Sequence, residues 1–100
     1  MTATNHFRSR VAERIGSDVD ADDLAAFLTH EIARGDSDKV VFVARLSRDG
    51  KRLFRFRLVR GGLFYALVDT NSMRCITVMP PGFRPTRQGG DSIYLKETDI

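Results

Sequence analysis

His6, Arg10 and Arg14 stand four residues apart in the opening segment T-N-H-F-R-S-R-V-A-E-R-I-G. Residues at that spacing lie one above another on an α-helix, so an imidazole and two guanidiniums would share one stripe. A titratable group beside two fixed cations can move a proton while the cations hold a phosphodiester. A solvated helix face has the same look, so the elements that carry the row decide its meaning.

Thr4 or Asn5 can cap a first helix that runs to about residue 15 and stops at Gly16. Phe7, Val11 and Ile15 form its apolar row, about 100° around the axis from the basic one. Arg14 lies nearest in angle to that seam and is expected to help anchor the helix. Asp18 or Asp20 opens a second helix ending at Gly35, with Leu24, Phe27, Leu28 and Ile32 as its apolar stripe and Asp22 and Asp23 in its first turn. His30 falls off that stripe and reads as a surface residue.

After Lys39 the pattern changes to strands. V-V-F-V-A-R-L, the alternating K-R-L-F-R-F-R-L-V-R, L-F-Y-A-L-V-D and residues 75–79 read as four strands, with turns at S-R-D-G, Gly61-Gly62 and T-N-S-M. Two helices followed by a four-stranded antiparallel meander give a two-layer α+β fold. Residues 1–82 form this single domain. Residues 83–100 read as a polar tail with room for one short edge strand around 93–95.

A two-residue turn at Gly61-Gly62 pairs Leu58 with Tyr65 and Phe56 with Leu67. The helices are then expected on Phe54, Phe56, Leu58, Leu63, Tyr65 and Leu67. The opposite face would carry Arg55, Arg57, Val59, Phe64, Ala66 and Val68. Pairing Val68 with Cys75 sets Thr77 across from Ala66, in one row with Arg57. Such an open face, with arginines for phosphate and rings for unpaired bases, suits RNA.

Composition narrows the classes. The chain has 100 residues, 42% hydrophobic and 29% charged, with a formal net charge of +3. Of sixteen Lys+Arg only Lys39, Lys51 and Lys96 are lysines, and arginine favours forked contacts to phosphate or carboxylate. Cys75 is the single cysteine, which excludes an internal disulfide, and it reads as a half-buried strand residue. Two distant histidines and one cysteine offer no metal-ligand spacing, so neither a metal nor another cofactor is expected. The first residues contain no apolar block and no run approaches a membrane span, so a cytoplasmic protein without a membrane partner is expected.

The H-x-x-x-R-x-x-x-R helix, the L-F-Y-A-L-V-D strand and C-I-T-V-M-P with Thr77, taken in order, resemble the small RelE-like proteins of the barnase–EndoU–colicin–RelE class, which include bacterial and phage domains. The resemblance covers roughly residues 5–82. It implies metal-independent, toxin-like endoribonuclease chemistry in which the ribose 2′-OH attacks the adjacent phosphorus. His6 would be the general base or acid, Arg10 and Arg14 would hold the phosphate, and Thr77 would donate a hydrogen bond to it. Arg55, Arg57 and Tyr65 complete the RNA-binding set, although the register above turns Tyr65 toward the helices and away from Thr77. The partners implied are RNA or another anion, and a protein such as an antidote or host target. The alternative is a non-enzymatic accessory protein of phage or plasmid type that grips a protein or nucleic acid through its Arg-rich sheet face. A third reading is a structural subunit that dimerises through a sheet edge.

Overall fold

A computed structural model of the chain describes residues 2–35, 37–46, 50–85, 87–89 and 92–93. Helix α1 spans Asn5–Arg14 and α2 spans Ala21–Arg34. Each starts on a side-chain cap: Thr4 accepts the Phe7 N–H at 3.0 Å, and Asp20 accepts the Asp23 N–H at 3.0 Å. Strands β1 (Val40–Arg45), β2 (Lys51–Arg57), β3 (Leu63–Asp69) and β4 (Arg74–Val78) follow, each antiparallel to the next. This is the expected α+β arrangement.

Two short strands extend it: β5 (Arg87–Gly89) and β6 (Ser92–Ile93), in the order β4-β3-β2-β1-β6-β5. β6 runs parallel to β1, with Ser92 beside Arg45. β5 is unforeseen from the sequence, and residues 94 and 95 of the expected edge strand lie outside the described residues. The chain must therefore pass from the β4 edge to the opposite edge. Phe83 packs edge-on against Tyr65 at 5.5 Å, so the crossing begins over the face away from the helices.

Apolar side chains fill both faces of the sheet. Phe7 and Val11 of α1 and Leu24, Ala25 and Leu28 of α2 bury against Phe54, Phe56, Ala66, Val68 and Cys75. On the far face Ala44, Leu53, Leu67 and Met79 are also fully buried, under Tyr65, Ile76 and Phe83. The far face is thus largely covered, which corrects the expectation of an open basic face.

The register differs from expectation by three residues. Leu58 donates its N–H to Gly62 at 3.2 Å, closing a three-residue loop of Val59, Arg60 and Gly61. Gly61 takes φ +99° there, a conformation that a side chain would strain. Arg57 consequently pairs with Leu63 and Arg55 with Tyr65. An odd shift exchanges the faces of one strand relative to its neighbour. Phe54 and Phe56 face the helices as expected, but Phe64, Ala66 and Val68 join them in place of Leu63, Tyr65 and Leu67. Val68 does pair with Cys75, and a bulge beyond it sets Thr77 opposite Leu67 instead of Ala66.

The outer edge of β4 is closed by the chain's own beginning. Cys75 donates its N–H to the Thr2 carbonyl at 2.6 Å, and the Thr4 N–H returns to the Cys75 carbonyl at 3.3 Å. Farther along, Arg14 Nη1 donates to the Val78 carbonyl at 2.8 Å. A half-buried carbonyl that loses a charged donor is costly, whereas exposed ion pairs contribute little. Arg14→Ala should therefore lower stability by about 2 kcal/mol in urea denaturation. Arg8→Ala, which removes the exposed 3.0 Å pair with Asp22, should cost under about 1 kcal/mol.

Candidate functional site

The row on α1 is divided among separate tasks. His6 is exposed. Arg10 Nη1 is paired with Glu13 Oε2 at 2.7 Å. Arg14 holds the edge of β4. Thr77, the expected hydrogen-bond donor, has no accessible surface, and its Oγ1 lies 3.3 Å from the Val78 carbonyl. The helix sits on one face of the sheet, and Arg55, Arg57 and Tyr65 project from the other. His6, Arg10 and Thr77 thus present no common accessible surface, and Arg57, Ala66 and Thr77 do not form the expected row.

Arg55, Arg57 and Tyr65 do come together. Alternation along β2 puts both arginines on the far face, and Tyr65 is the direct cross-strand partner of Arg55. Both arginines are exposed, and among the described residues neither forms an ion pair, although Arg57 also borders a groove with Asp18, Asp20 and Asp23. Other arginines are engaged: Arg8 with Asp22, Arg34 with Glu31, and Arg60 with Asp18 at 2.7 Å and the Ile15 carbonyl at 2.7 Å. Arg60 thereby ties the β2–β3 hairpin to the link between the helices.

Beside the pair lies an open groove of about 560 Å³, walled by Phe27, Asp38, Lys39, Arg55, Arg57 and Leu63 among others. Phe27 is 37% and Leu63 39% accessible, large apolar side chains left at a basic rim. Sequence reading gave Lys39 no part in a site and placed Leu63 against the helices, whereas it lies beside Arg57 and is exposed. Their signal was their place immediately before β1 and after the Gly-Gly turn, where their faces depend on the register.

A smaller groove of about 280 Å³ opens on the helix side of β1, between Ile32, Phe42 and Phe54. Glu31 forms its polar end. Ser37 Oγ donates to Glu31 Oε1 at 2.9 Å, while the same Oγ accepts the Lys39 and Val40 N–H groups at 3.1 and 3.3 Å. This relay fixes where β1 begins. The carboxylate is covered chiefly by the groups it binds: its side chain is 5% accessible, yet it lies outside the deep core. The Ser37 hydrogen bond, reinforced by the Arg34 and Lys39 charges, holds Glu31 below its usual 4.5 against a smaller opposing push from desolvation. His30, exposed as expected, stands 4.0 Å from it.

Cys75 is buried on the helix face, and burial alone pushes its thiol up to about 12. A thiol held neutral at physiological pH is no nucleophile. Among the described residues no group of three or more His, Cys, Asp or Glu side chains converges as a metal site. No described helix is long and apolar enough to cross a membrane. No family model matches the chain, and neither a curated protein nor a solved structure matches it.

The lowered pKa of Glu31 fixes a pH dependence. Its ionised form stabilises the fold fully above about 4.5, and that contribution is lost as pH falls through the lower folded value. Wild type should therefore be more stable than Glu31→Gln at pH 7. The two thermal midpoints should converge as pH falls through the lowered folded value, as thermal melts across pH would record.

Proposed function

We propose that this chain is a non-catalytic binding protein that engages an anionic macromolecule through Arg55 and Arg57. The supporting observation is that these two guanidiniums are exposed, adjacent on one strand face and, among the described residues, outside any ion pair, beside a groove with accessible apolar side chains. Their charges are available to a partner without first breaking an internal ion pair. Strand positions hold such groups in fixed spacing, which suits recognition of repeating negative charge. An unpaired thiol suits a reducing compartment such as the cytoplasm.

The RelE-like endoribonuclease reading has weaker support. Transesterification needs a proton acceptor, a proton donor and phosphate clamps around one phosphorus. Arg14 is tied to Val78 and Thr77 is buried, which leaves His6 and Arg10 without the third member of the set. Binding requires none of these to move.

Fluorescence anisotropy with a labelled oligouridylate and a labelled polyglutamate tests the proposal. Wild type should bind at least one probe with an affinity that falls as salt rises. The double variant Arg55→Ala/Arg57→Ala should lose at least about tenfold, and Arg8→Ala/Arg10→Ala should change little. Equal binding by both double variants would refute the assignment. Cellular RNA incubated without metal should stay intact; cleavage abolished by His6→Ala would instead restore the nuclease reading.

A further inference from the structure

The two flanks of the β1–β4 meander are unlike. β4 is closed by residues 2–4 and by Arg14. On β1, the only pairing with β6 among the described residues is at Arg45. Which backbone groups of β1 face outward follows from the hairpin. Leu58 and Gly62 are hydrogen-bonded, so the even residues of β2 turn their backbone toward β3 and the odd ones toward β1. Val41 opposite Arg55 is then the bonded pair, and Val40 and Phe42 direct their N–H and C=O groups away from β2. Independently, the Val40 N–H goes to Ser37 Oγ. Phe42 thus presents both a donor and an acceptor on the outer side, and its side chain is 42% accessible.

The side chains flanking this edge differ by face. On the helix side, Phe42 meets Phe54 edge-on at 6.0 Å, and with Ile32 it lines the smaller groove. On the far side stand Lys39, Val41, Arg55 and Arg57, at the larger groove, which also includes Asp38 and reaches round to Phe27 and Phe56 of the helix side. Val41 borders both grooves.

We infer that β1 receives an extended segment of a protein partner as an added strand, with alternating acidic and apolar residues. Its backbone bonds to Phe42, its apolar side chains enter the groove at Ile32 and Phe54, and its carboxylates face Lys39, Arg55 and Arg57. This deepens the anion-binding proposal and rests on it. A residue added opposite Val41 lies about 5 Å from that strand and about 10 Å from the Arg55 backbone, a span that a glutamate and an arginine bridge together. Alternation on an added strand delivers one chemical type to each face, which a strand flanked by an apolar face and a largely basic one selects. A second copy of this chain is a poor occupant, because pairing two β1 edges would bring Lys39, Arg55 and Arg57 of both copies together.

The test uses the full chain and a labelled nonapeptide of alternating glutamate and valine. Controls are a block peptide of the same composition, a version methylated on alternate backbone nitrogens, and a labelled oligouridylate. The alternating peptide should bind at least tenfold tighter than either peptide control and tighter than the oligouridylate. Phe42→Pro should abolish peptide binding, since it removes an N–H that β2 does not use. The methylated peptide on wild type carries the same test should that variant misfold. Equal binding of alternating, block and methylated peptides overturns strand addition and leaves the arginine surface standing. Tighter binding of the oligouridylate assigns the surface to nucleic acid and overturns the inference. A concentration-dependent dimer that excludes the peptide overturns it in favour of a second copy. Indifference of all probes to Arg55→Ala/Arg57→Ala overturns the underlying proposal instead.

Discussion

The hydrogen bond from Leu58 to Gly62 closes the β2–β3 hairpin and decides where every side chain of the central sheet points. With a loop of three residues, Phe64, Ala66 and Val68 turn to the helices beside Phe54 and Phe56. Tyr65 turns the other way, next to Arg55. The same loop aims Arg60 at Asp18 and the Ile15 carbonyl, so the hairpin is held to the helical layer at its tip. A one-residue change in that loop would move Tyr65 and Leu67 into a core shaped for Phe64 and Ala66.

A sheet must also dispose of its edges, because unpaired backbone groups invite association. This chain treats one edge as structure. Thr4 caps α1 with its side-chain oxygen while that oxygen also lies 3.2 Å from the Cys75 and Ile76 carbonyls, so one residue joins helix to edge strand. Arg14 continues the closure. Arg8, Arg14 and Arg34 of the helical layer are engaged in this way, and among the described residues Arg55 and Arg57 on β2, across the sheet, form no ion pair. Function is proposed where the fold leaves charge and backbone unsatisfied.

Both helices, their caps to within two candidates each, and the four-strand order were legible because each depends on local signals: Thr4 or Asn5 and Asp18 or Asp20 before apolar periodicity, and alternation in R-F-R-L. The i, i+4 row of His6, Arg10 and Arg14 was legible too, and so was the structural leaning of Arg14. What that row does was not, because Val78 is 64 residues from Arg14 and no local pattern encodes that contact. Two adjacent glycines support either a two- or a three-residue loop, and the choice depends on packing that Arg60 completes at long range. Thr77 was misplaced by a bulge that only the pairing of two strands reveals. The covering of the far face by Phe83 was hidden for the same reason: Pro80 and Gly82 mark a stop but not the direction taken after it. Arg55 and Arg57 survive as candidates because alternation within a strand holds whatever its register.

The outer side of β4 is closed, whereas the part of β1 before Arg45 offers its backbone beside β6. Amide hydrogen exchange of the free protein, resolved by residue, measures this directly. The account predicts slow exchange at Val41 and Cys75, whose N–H groups are held by Arg55 and by Thr2, and fast exchange at Phe42 between them in the same sheet. Protection of Phe42 equal to that of Val41, or a Cys75 amide that exchanges as fast as a loop, would contradict it.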